Sequence, residues 1–137
     1  MDIEKILKLV SGTLCSLFGF LFGAANGLFY ALIAFIVLDY ISGVMAAWVK
    51  KELSSEVGAK GIVKKVFILV IVAVGNLLDV YVIGDGNICR SAVIGFYIAN
   101  EAISILENAA NIGLPLPQKL IDVLQQLKSK GDDENGD

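Results

Sequence analysis

Residues 9–38 read LVSGTLCSLFGFLFGAANGLFYALIAFIVL, 30 positions without one charged side chain. A membrane-spanning helix needs about 20 apolar residues, so this run alone carries the chain into a bilayer. The stretch continues past Asp39 to Val49, giving 41 residues interrupted by a single acid. As one helix it would extend about 60 Å, twice the roughly 30 Å hydrocarbon thickness, so it must fold back. Ala24-Ala25-Asn26-Gly27 is the natural turn, because Asn and Gly tolerate left-handed backbone geometry. Spans are predicted over residues 9–25 and 28–49.

Two more apolar segments follow. Residues 66–83, VFILVIVAVGNLLDVYVI, contain only Asp79 as a charge, and their 18 residues just suffice to cross. Residues 91–112 form a fourth span or an amphipathic helix, ended by the Gly113-Leu114-Pro115-Leu116-Pro117 breaker. Residues 117–128 place Leu120, Val123, Leu124 and Leu127 at helical spacing, which predicts a short amphipathic helix. The acidic residues 129–137 have too little apolar content to fold. The expected class is an all-α integral membrane protein with four transmembrane helices, a C-terminal amphipathic helix and a disordered acidic tail. In the alternative there are three spans, and the first segment lies on the membrane surface.

Composition agrees and excludes other classes. The chain is 56% hydrophobic and 18% charged, where soluble domains carry about 25% charged residues. A net charge of −3 and one arginine, Arg90, give nucleic acid nothing to hold. Histidine is absent, and no HExxH, GxSxG, GxGxxG or Walker pattern occurs, so neither an enzyme nor a cofactor is expected. Cys15 and Cys89 have no metal-ligand spacing and read as small apolar groups. Gly23-Ala24-Ala25 imitates a signal-peptidase site. However, residues 1–8 balance Asp2 and Glu4 against Lys5 and Lys8 and lack the basic start of a signal peptide.

Lysines set the expected orientation. The segment 50–65 carries Lys50, Lys51, Lys60, Lys64 and Lys65 against Glu52 and Glu56, and short lysine-rich segments stay cytoplasmic. With four spans both termini are then cytoplasmic, and residues 84–90 form an external loop.

Within the spans, Gly19, Gly23 and Gly27 form GxxxGxxxG, and Gly43 with Ala47 repeats the spacing, which suggests close helix packing. Asp39 falls near the middle of span two, where a carboxylate costs about 2.5 to 3.5 kcal/mol on insertion scales. Asn76 and Asp79 share one face of span three. Asn100, Glu101, Ser104, Glu107 and Asn108 make a polar stripe on the fourth helix. One copy is expected to leave these groups poorly satisfied, and identical copies to bring them together around an aqueous opening. Alternatively, Asp39 is a proton or cation site in a small channel or transporter, although the halves show no internal repeat.

The strings LDYISGVMAAWVKKELSSEVGAKGIVKKV (38–66) and FYIANEAISILENAANIGLPLPQKLIDVLQQL (96–127) resemble the toxin secretion/phage lysis holin family. The resemblance rests on Asp39-Tyr40 with Gly43, Leu53-Ser54-Ser55 with Gly58 and Gly61, the pair Lys64-Lys65, Asn100-Glu101, Glu107-Asn108, and Pro115 with Pro117. It implies a small multi-pass protein of the bacterial cytoplasmic membrane that accumulates harmlessly, then assembles into lesions that release an endolysin or a large toxin. The expected partners are membrane lipids and further copies of the chain. The endolysin or toxin is linked in function, without direct contact. Holins often use a second start codon to make an inhibitor, and here the only other methionine is Met45.

Overall fold

A computed structural model describes residues 2–134. Its helices are α1 (Ile3–Phe22), α2 (Gly27–Val49), α3 (Ser55–Leu77), α4 (Ile88–Asn111) and α5 (Gln118–Glu134). A π-helical segment, Leu78–Ile83, continues α3 without a break. Four helices are long and apolar enough to cross a membrane: α1, α2, α3 with its π-helical extension, and α4.

Local chemistry explains the boundaries. Gly23 ends α1 with φ of 75°, a conformation that strains any residue bearing a Cβ. The Asn26 side chain then accepts from the Phe29 N–H at 3.1 Å and starts α2. Ser54 does the same for α3 through the Val57 N–H at 3.2 Å.

These ends shift several expected boundaries. The first span begins at Ile3 rather than residue 9, because Ile3, Ile6 and Leu7 extend the apolar spacing among the early charges. The basic segment 50–65 is mostly helix. The connection is confined to residues 50–54, and Lys60, Lys64 and Lys65 lie on α3. A lysine cluster reads as a loop in sequence, yet long stems let lysines sit on a helix and reach out from it. The turn before α4 shrinks to residues 84–87. The last helix continues past Lys128 to Glu134, within the segment expected as tail, and residues 135–137 lie outside the described residues.

Phe29, Leu32 and Ile36 of α2 meet Ile68 and Val72 of α3 and Ile94 of α4 in one core. No residue of α1 is buried. Its Phe18 and Phe22 rings pack on Phe29 with centroids 5.5 and 5.6 Å apart. The outside of the bundle is apolar, with Leu38, Met45, Trp48, Val66, Phe67, Val82 and Phe96 all exposed. So much exposed apolar surface suits a lipid environment.

Candidate functional site

Polar side chains inside the bundle gather in two layers. Lys65 and Asn76 are eleven residues apart on α3, as are Arg90 and Glu101 on α4. That spacing separates the layers by about 17 Å, with the apolar core between them.

In the first layer, the Lys65 ammonium of α3 donates to Asp39 Oδ2 of α2 and to Glu101 Oε2 of α4. Asp39 is 6% exposed and Glu101 2% exposed, so two buried carboxylates share one cation. Asn108 Nδ2 completes the arrangement, donating to Asp39 Oδ1 at 3.2 Å and to Ser42 Oγ at 2.9 Å. Desolvation makes such a cluster sensitive: removing one partner of a buried ion pair costs about 3 to 5 kcal/mol.

The second layer uses backbone groups. Asp79 accepts from the Cys89 N–H at 2.9 Å and the Arg90 N–H at 2.8 Å. It thereby caps α4, where Asn87 provides no side-chain cap. Arg90 then turns to the end of α1. Its Nε donates to the Phe22 carbonyl at 2.6 Å and its Nη2 to the Ala24 carbonyl at 2.7 Å, while the guanidinium lies 5.7 Å from the Phe29 ring centroid. Asn76 Nδ2 donates to the Phe20 and Leu21 carbonyls at 3.2 and 3.0 Å. Four carbonyls at the end of α1, where a helix leaves such groups without intrahelical partners, thus find donors within the chain. Close approach requires glycine here. A Cβ on Gly23 would lie 2.7 Å from Asn76 Oδ1, and one on Gly75 would lie 3.2 Å from the Cys89 carbonyl oxygen.

The expectation that one copy leaves its polar groups unsatisfied is therefore corrected. Among the described residues, no buried side-chain nitrogen or oxygen lacks a hydrogen-bond partner. Asp39, Glu101 and Asn108 come together, and Ser104 lines the two cavities beside them. Asn76 and Asp79 belong to the other layer. Asn100 and Glu107 are exposed on α4. The glycine motif does not lie on one helix face: Gly19 is in α1, Gly23 ends it, and Gly27 opens α2. The turn falls inside the repeat, and a Cβ on Gly19 or Gly27 would meet nothing within 4 Å. Gly43 faces Asn108 Nδ2 at an ordinary 3.6 Å, and Ala47 lines a groove.

Sequence reasoning missed the roles of Lys65, taken as a loop anchor, and Arg90, noted only as a lone arginine. Their partners lie 26 to 68 positions away along the chain, so no local pattern marks the pairs. The available signal was arithmetic: intramembrane acids need cations, and Lys65 and Arg90 border the same apolar runs. The remaining anchors are peripheral. Lys50 and Lys51 sit in the α2–α3 connection, Lys60 pairs with Glu56 at 3.6 Å on the surface, and Lys64 is exposed. Among the described residues, no group of three or more histidine, cysteine, aspartate or glutamate side chains could hold a metal.

An uncharacterized protein of Listeria innocua is 44% identical over 132 residues, covering 96% of this chain and 94% of that protein. An uncharacterized 14.9 kDa protein of Clostridium perfringens is 43% identical, covering 94% of this chain and 98% of its own length. A protein of Bacillus phage phi105 named "Probable holin" is 38% identical over 113 residues, 82% of each chain. No solved structure matches. The bacteriophage holin family model matches residues 16–129, and the chain therefore belongs to that family of membrane-lysis proteins.

Proposed function

We propose that the chain is a holin that accumulates in the bacterial cytoplasmic membrane as a sealed bundle and then assembles into lesions that release an endolysin. The observation that carries this reading is the internal pairing of the intramembrane charges. A protein that must accumulate without leaking needs its polar groups neutralised in each copy. A protein that later opens needs one pairing that can be exchanged.

The Lys65 layer suits that exchange. Asp39 and Glu101 outnumber the single ammonium, and cavities of about 460 and 470 Å³ adjoin the cluster. In the lesion, Glu101, Ser104 and Asn108 turn from Lys65 to join Asn100 and Glu107 along an aqueous lumen. Exposed α1, with Gly19, and the uncovered Gly27 supply contacts between copies. The lysines at one end of the bundle orient both termini to the cytoplasm. Membrane potential is the proposed trigger, since one charge moved across 100 mV changes an equilibrium by about 2.3 kcal/mol. Toxin release, the other role implied by the resemblance, gains no support from these relatives.

Inducing the gene alone in bacteria tests the proposal. Viability should collapse abruptly, an energy poison should advance the collapse, and a cytoplasmic reporter of endolysin size should escape. Selective solute uptake by cells that stay intact would instead support a channel or transporter.

A further inference from the structure

A groove of about 460 Å³ is lined by residues of α2 and α3 together with Ser104 and Asn108 of α4. Its walls combine two chemistries. Val44 and Ala47 of α2, Leu53 of the α2–α3 connection and Val57 of α3 give it an apolar lining. Tyr40 and the exposed Lys64 border the same space. Gly58 and Gly61 admit the Tyr40 ring against α3: a Cβ on either would lie 3.4 Å from the ring or its hydroxyl.

Charge pairing singles out Lys64. Lys65 is held by Asp39 and Glu101, and Lys60 by Glu56. Among the described residues, Lys64 and the Tyr40 hydroxyl have no hydrogen-bond or ion-pair partner. Lys64 lies nine residues into α3, about 14 Å from its start. Side chains on a helix lean toward its N-terminus, which for Lys64 is the lysine end of α3. An apolar trough with an unpaired ammonium and a hydroxyl matches an acyl chain below a phosphate.

We infer that this groove is a binding site for an anionic phospholipid, its phosphate on Lys64 and the Tyr40 hydroxyl and an acyl chain between Val44, Ala47 and Val57. Basic pockets between spanning helices commonly take such headgroups. Asp39 is the one acid among the residues lining the groove, it is paired with Lys65, and Lys60 and Lys64 line the same space, so the lining carries an excess of positive charge beside the phosphate.

The test uses the delipidated full chain in detergent, with bound lipid counted by native mass spectrometry. Phosphatidylglycerol, phosphatidylcholine with the same acyl chains, and inorganic phosphate are titrated separately. One phosphatidylglycerol should bind per chain, with little phosphatidylcholine or inorganic phosphate. Lys64→Gln should weaken phosphatidylglycerol about fivefold. Lys64→Arg should retain it, and Lys119→Gln should leave it unchanged. Equal binding of the two phospholipids, equal binding of inorganic phosphate, or an equal loss in Lys64→Gln and Lys119→Gln would overturn the inference. No lysis is measured, so the result stands apart from the holin reading.

Discussion

The two polar layers use similar residue types in different ways. Around Arg90, one acid and one base are each spent on backbone: Asp79 on the N–H groups that start α4, Arg90 on carbonyls at the end of α1. Those groups exist in any sequence with these helix ends, and the helices themselves give them no partner. Around Lys65, the ammonium binds only side chains, two acids share that one base, and open space adjoins them. The Arg90 layer therefore fixes where helices begin and end, while the Lys65 layer can be rearranged with every helix intact.

The largest effect should come from Arg90→Leu, which leaves the Phe22 and Ala24 carbonyls without their donors at a cost of about 1 to 3 kcal/mol each. The chain should fail to accumulate in membranes, as measured by its abundance in the membrane fraction. Arg90→Lys should rescue it poorly, because an ammonium cannot match the spread of a guanidinium. Full accumulation of Arg90→Leu would erase the contrast between the layers.

Lys65→Met should cost a comparable amount locally yet leave helix ends untouched. It should accumulate and lyse early in a timed induction. Asp39→Asn keeps shape and hydrogen bonding while relieving the surplus of acid, and should delay lysis without lowering protein level. An unchanged onset would remove Asp39 from the mechanism.

A smaller change tests close packing near the Arg90 layer. Gly75→Val would press on the Cys89 carbonyl and the Arg90 backbone, and overpacking of this kind costs about 1 to 3 kcal/mol. Thermal unfolding in detergent should fall by a measurable amount, with lysis timing moved little. The smallest effect belongs to Glu56→Gln. The Glu56–Lys60 side chains are 80% and 73% exposed, and such surface pairs contribute about 0 to 1 kcal/mol. Neither unfolding nor timing should change beyond error.

Much of the fold could be read in advance because hydrocarbon imposes a simple rule. Apolar runs of sufficient length and one Asn-Gly turn were enough to place four spans. Asp39, Asn76, Asp79 and Glu101 stood out because acids and amides are costly in that setting. What stayed hidden was partnership. Lys65 looked like part of a solvated loop until Ser54 started a helix ten residues before it. Arg90 looked peripheral because its partners are carbonyls, which no residue type announces. The Gly19, Gly23 and Gly27 spacing misled for a related reason: glycine serves both tight packing and chain reversal, and Gly23 serves the reversal.

The most direct test of the account reverses the central pair. Asp39→Lys and Lys65→Asp are made singly and together, and membrane accumulation and lysis onset are measured. Each single variant should fail. The double variant, with the same charges in exchanged places, should recover both properties, and co-expressing the two single variants should not. Failure of the double variant, or rescue by the co-expressed singles, would contradict the claim that each copy seals its own charges.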